Sequence, residues 1–217
     1  MNMKTAVFAA IVFAIPAFAF AHENPDGTLG TDYVGVFGTY YYDDYGYYGT
    51  GSDDYSGFGL CVNKNVIDSA KYGVDAYFKY YHITDSSADY DYTQNSFVGS
   101  ATAFYKGTLS PFVSGIVFCH NADIDYTSAA YEDDSKTSWE LSLKVGVEFH
   151  IAPGLAASVA VAENHYCSYY TPKNATQYSV GLSYWFTERV GLIVSQTYKN
   201  CSHIDEYSTT FTVAYHF

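Results

Sequence analysis

The chain has 217 residues, 23 of them acidic and 10 basic, with a formal net charge of −13. A surface of that sign repels the phosphate backbone, which excludes nucleic acid as a partner, and the length suits one full core. The 25 tyrosines and 15 phenylalanines, against five prolines, favour strands, because aromatic rings fit a pleated surface.

Residues 1–21 predict an export leader. Lys4 precedes the apolar run 5–20, Pro16 interrupts that run, and Ala19-Phe20-Ala21 supplies a small-residue cleavage site before His22. Residues 22–217 are expected as a single domain, with no stretch approaching the roughly 20 continuous apolar residues of a spanning helix.

Residues 33–42 and 55–62 are the first two candidate strands, weakly patterned. At 71–82 the alternation becomes clear: Tyr72, Val74, Ala76, Phe78 and Tyr80 oppose Gly73, Asp75, Tyr77 and Lys79. Weaker segments follow at 94–106 and 112–120. The plainest strand is 137–150, where Trp139, Leu141, Leu143, Val145, Val147 and Phe149 alternate with Glu140, Ser142, Lys144, Gly146 and Glu148. Helical spacing would scatter these residues around an axis, whereas a tilted strand of this length crosses the hydrocarbon layer of a bilayer. Residues 155–163 and 190–198 are weaker, and 176–186 alternates clearly between them.

The last segment, 207–217, sets Tyr207, Thr209, Phe211, Val213, Tyr215 and Phe217 against Ser208, Thr210, Thr212, Ala214 and His216. In ending on Phe217 it resembles the bacterial outer-membrane barrel proteins, which typically close on an amphipathic strand with a terminal Phe. The stretch from Tyr184 through Trp185, Phe186 and Arg189 to Leu192 is similar to the strand, tight turn, strand unit of the opacity-protein and OmpA-like barrels. The resemblance implies a transmembrane antiparallel up-and-down β-barrel, and Tyr215 and Phe217 as the signal read by the barrel assembly machinery.

Connections at 43–54, 83–93, 121–136, 164–175 and 199–206 are long, and those at 63–70, 107–110, 151–154 and 187–189 are short. Outer-membrane barrels show this asymmetry. The all-β reading is therefore a ten-stranded barrel in the bacterial outer membrane with both termini in the periplasm; eight or twelve strands remain open, because 155–163 and 190–198 are weakly patterned. A soluble lipocalin-type barrel would turn the same alternation inside out, but would not need the terminal Phe.

Ten strands enclose a backbone radius of about 10 Å, so the lumen is narrow or shut. Asp75, Lys79, Glu140, Lys144 and Glu148 fall on polar faces and are expected inside. Isolated buried charges are costly, so a cross-lumen ionic network is expected, Lys79 level with Glu140 and Asp75 with Lys144. The alternative is a water-filled lining without specific partners. The long connections are acidic, as at Asp43, Asp44, Asp53 and Asp54, with tyrosines interleaved. They form either a solvated rim or a recognition surface. Cys167 and Cys201 lie in neighbouring loops as candidates for a disulfide, whereas Cys61 and Cys119 fall inside strands.

Enzymatic readings find little support. A lipid A deacylase would need His and Ser adjacent on one strand, and His120 is followed by Asn121. The omptin proteases use an acidic pair two apart and an Asp-x-His; Asp89 and Asp91 show the first spacing, but His203 and Asp205 reverse the second. No zinc, calcium or phosphate motif is visible, so no metal or cofactor is expected. The functional expectation is a monomer among outer-membrane lipid and lipopolysaccharide, structural or passing small solutes through a narrow porin-like channel, with adhesion through the loops as the alternative.

Overall fold

A computed structural model describes residues 27–44, 52–86, 90–126, 134–166, 174–201 and 204–217; the leader lies outside them. Ten strands follow one another: β1 (Tyr33–Asp44), β2 (Ser52–Asp68), β3 (Tyr72–Ser86), β4 (Tyr90–Tyr105), β5 (Leu109–Tyr126), β6 (Asp134–Ala152), β7 (Leu155–Tyr166), β8 (Asn174–Trp185), β9 (Val190–Cys201) and β10 (Ile204–His216). Each pairs antiparallel with its sequence neighbour, and β10 pairs with β1 to close the barrel. The predicted count of ten holds, and no sheet edge is left open.

The strands run past their predicted ends. Residues 63–70, read as a turn, continue β2 to Asp68, because a bulge between Asn65 and Ile67 inserts a residue and breaks the two-residue period. Val66 and Ile67 are accordingly both exposed. The same happens at the end of β6, where the register shifts between His150 and Ala152. Alternation is readable only while register is constant.

Following the ladder from Asp68 once around the barrel, through Gly73, Phe104, Phe112, Gly146, Ala160, Ser179, Thr197, Ser208 and Tyr41, leads back to β2 at Tyr55. This climb of about a dozen residues fixes the strand tilt. One end of the barrel carries the short turns and the start of β1; the other carries the connections 45–51, 127–133 and 167–173, together with 87–89 and 202–203, which are as short as the turns because the flanking strands run on through the expected long loops 83–93 and 199–206. Each turn at the first end is tied to the next hairpin: Lys106 N–H donates to Lys71 O (2.9 Å), His150 N–H to Thr108 O (2.9 Å), Trp185 N–H to Gly154 O (2.8 Å) and His216 N–H to Arg189 O (2.7 Å).

The outer wall is apolar, with Val36, Leu60, Phe78, Leu143 and Val213 exposed. Aromatic rings gather on its outside at both ends. Tyr178, Tyr198, Tyr207 and Tyr42 share one rung across β8, β9, β10 and β1, with successive ring centroids 6.2, 4.9 and 6.2 Å apart. Tyr72, Tyr105, Phe186 and Phe217 mark the turn end. The core lies inside the cylinder, where Tyr33, Phe37, Cys61, Tyr81, Ile83, Val98, Trp185 and Ala214 pack together.

Candidate functional site

The interior has three levels. At the turn end, residues 27–32 fold back into the mouth of the barrel. Glu148 of β6 accepts from Thr28 N–H (3.1 Å), Thr28 Oγ1 (2.6 Å) and Leu29 N–H (3.3 Å). Asp75 of β3 accepts from Gly30 N–H (2.8 Å) and from Asn65 Nδ2 (2.8 Å). Asn63 of β2 donates to Thr31 O (2.9 Å), and Trp185 of β8 donates through Nε1 to Gly27 O (3.0 Å). Gly30 turns at φ +75, a left-handed conformation that a side chain would strain. The Trp185 ring lies flat over Gly191, where a Cβ would stand 2.6 Å from Cε3.

At the lip of this mouth Asp32 meets the Lys64 ammonium and accepts from Asn65 N–H (2.6 Å). Burial pushes the Asp32 carboxyl up, but those two donors outweigh it and hold it below its ordinary value.

Above lies the aromatic waist. Tyr33 meets Trp185 edge-on (6.1 Å between centroids, 63°), and Phe37 meets Tyr81 likewise (6.4 Å, 64°). The Lys79 ammonium rests on both Phe37 (4.2 Å) and Tyr81 (4.9 Å), a cation–π arrangement. Toward the loop end the waist opens into a cup of about 590 Å³. Its β1–β5 side carries Tyr41 stacked on Tyr55 (5.0 Å), with Tyr77 and Phe118; its other side carries Gln177, Ser195, Thr197, Ser208 and Thr210. Between them Glu140 accepts from Lys199 Nζ at 3.2 and 3.4 Å, both side chains buried.

All five charges expected inside turn to the lumen, but no two of them pair among the described residues. Lys79 does share a rung with Glu140, through Val98 and Phe118, and Asp75 shares one with Lys144, through Thr102 and Ser114. Rungs climb with the strand tilt, so sharing a rung three strands apart is not sharing a depth. Glu140 takes Lys199 instead, Asp75 and Glu148 take the amides of residues 27–32, and Lys144 lies 5.9 Å over the Phe112 ring. Lys199 escaped the sequence reading because 199–206 looked like a loop. Carrying the period of Ser195 and Thr197 two residues further would have found it. The segment 27–32 has no period, and gave no signal.

Tyr215 and Phe217 are exposed on the outer wall; Arg189 Nη1 donates to Tyr215 Oη (3.3 Å) and Lys64 Nζ stands 5.7 Å over the Phe217 ring. Cys61 is a free thiol inside the barrel and Cys119 a free thiol in β5. The pairing of Cys167 with Cys201 lies outside the described side chains, as do the expected leader and the loop carboxylates Asp44, Asp53, Asp89, Glu132, Asp133 and Asp134. Across the lumen wall Ser96 Oγ meets His120 Nδ1 at 2.7 Å, with Gln94 Nε2 bonded to both, and Ser96 is fully buried. Among the described residues no cluster of His, Cys, Asp or Glu could hold a metal.

No family model matches the sequence, and no curated protein matches it. Solved structures match the shape. The translocator domain of the autotransporter NalP from Neisseria meningitidis is similar at 9% identity, over 100% of this chain and 95% of that one, with TM-score 0.53. The transport unit of the autotransporter AIDA-I from Escherichia coli is similar at 8%, over 98% of both, also 0.53. The beta domain of the Bordetella autotransporter BrkA is similar at 10%, over 86% of this chain and 100% of that one, with TM-score 0.51. At such identities the likeness is one of fold: a small closed barrel of the kind found in bacterial outer membranes.

Proposed function

We propose that the chain is a structural outer-membrane barrel that neither conducts nor catalyses, with its turn end in the periplasm and its loop end outside. An apolar outer wall between two aromatic belts suits a bilayer. The observation that carries the reading is the seating of residues 27–32 in the turn-end mouth, held by Glu148, Asp75 and Trp185. A porin-like passage would have to run through that stopper and the aromatic waist above it. On this reading the partners are lipid and lipopolysaccharide around a monomer, and the assembly machinery at Tyr215 and Phe217.

Planar-bilayer recording of the refolded chain tests it. Residues 22–217 should give no steady unitary conductance, and a chain starting at Asp32 should give flickering openings. Steady openings from the longer form overturn the proposal.

Recognition through the rim is the second reading. Its support is the register at the loop end, where Asp43 faces Glu206 on one side and Asp53 on the other. Like charges opposed across strands are destabilising; Tyr55 Oη donates to Asp43 Oδ2 (2.8 Å), which gives Asp43 a structural role as well. Retention of cells or vesicles by the purified barrel, abolished by Asp43→Asn with Glu206→Gln, would support this reading; no retention would remove it.

A further inference from the structure

We infer that the loop-end cup is a binding site for a small organic monoanion carrying a ring. The inference rests on the sealed turn end proposed above, which makes the cup blind and lets a solute dwell in it.

A space of about 590 Å³ lies within the ordinary range of small-molecule sites. Its two walls differ as such sites require: tyrosine faces on one side offer stacking surface, and Ser195, Thr197, Ser208, Thr210 and Gln177 on the other offer hydrogen bonds. The charges select the ligand. Glu140 is already neutralised by Lys199. Lys136 and Glu206 sit among the lining residues as one charge of each sign. Lys79 has no carboxylate partner among the described residues; the rings of Phe37 and Tyr81 cushion its ammonium. Burying a cation without a counter-ion is costly, and the rings make good only part of the lost hydration. A carboxylate entering the cup completes the site, its ring lying along Tyr77 and Tyr81.

Among the described residues that line the cup, Lys79 is the one buried cation without a carboxylate, so a monoanion fits. Each further negative charge on a ligand would face the acidic rim, where Asp43 and Glu206 stand. A cation would find Glu140 occupied. The aromatic wall and the polar wall accept either an aromatic acid or a sugar acid, and the two are separate arms of the test.

Isothermal titration of refolded residues 22–217 in detergent decides it, with 4-hydroxybenzoate and glucuronate as anions and 4-hydroxybenzamide and glucose as their neutral counterparts. At least one anion should bind tenfold or more tighter than its neutral counterpart. Lys79→Met should abolish that preference, Lys79→Arg should keep it, and Lys144→Met, over the Phe112 ring and outside the cup lining, should leave it unchanged. Equal binding of acid and amide, retention of the preference by Lys79→Met, or absence of heat with both anions overturns the inference. Should Lys79→Met fail to fold, the comparison of acid with neutral counterpart on the unaltered chain still decides. A barrel that conducts but keeps the preference overturns only the sealed reading, and one that is sealed without the preference overturns only the site.

Discussion

The two halves of the barrel interior are built on opposite principles. From β1 to β5 the lumen receives Tyr33, Phe37, Tyr41, Tyr55, Tyr77, Tyr81, Ile83, Val98 and Phe118, large side chains that pack together. From β6 to β10 it receives mostly Ser, Ala, Gly and Thr, with Trp185, Lys144, Glu148 and the Glu140–Lys199 pair as the main exceptions. A cylinder of about 10 Å radius cannot hold bulky residues from every wall, so one half fills it and the other yields space. The filled half is stabilised by ring packing, and the yielding half by polar contacts such as the Glu140–Lys199 pair.

Breaking the packed side should cost most. Phe37→Ala removes a ring from the waist and is expected to destabilise by about 3–5 kcal/mol in urea unfolding from vesicles. Trp185→Ala should cost a similar amount and also free Gly27, so it is the one large truncation expected to admit ions in a planar bilayer. A Trp185→Ala barrel that stays electrically silent would show that the stopper holds without its indole.

The polar side should show a different signature, a single loss repaired by a second. Lys199→Met leaves Glu140 buried without its cation, at an expected cost of about 3–5 kcal/mol, whereas Lys199→Met with Glu140→Gln should recover most of it. Additive losses would mean that the pair does not act as a unit. Glu148→Gln keeps the shape but replaces one acceptor oxygen by a donor facing Thr28 or Leu29, with an expected loss of about 1–3 kcal/mol and faster protease clipping ahead of β1.

Smallest is the exposed lip. Asp32→Asn removes the pairing with Lys64 at a cost below about 1 kcal/mol, since water screens it. The folded carboxyl titrates below its unfolded value, so this contribution is present at neutral pH and is lost as pH falls through the acid range below about 4. Melting curves of the two forms should converge there; convergence on the alkaline side instead would contradict the assignment.

How much was legible follows the same division. The outer wall announced itself, because lipid-facing positions such as those from Trp139 to Phe149 must be apolar at every second residue, and any strand of constant register prints that period. The interior did not, because it tolerates Tyr, Ser, Ala and Lys alike. Ala156 and Ala162 face inward on β7 and Ile193 does so on β9, which blurred both strands. Pairing across the lumen depends on tilt, which no single strand reveals, and so Glu140 could be placed but its partner Lys199 could not. The stopper was invisible because its grip is made by backbone amides of residues 27–32, and every residue but proline has one.

That grip also depends on closure of the barrel. The segment ahead of β1 is clasped by side chains of β2, β3, β6 and β8, which converge on one point only after β10 has found β1 and the ring is whole. A sheet still open at that seam offers it no socket. Residues 27–32 thus report on closure, like a bung that holds only in a hooped cask.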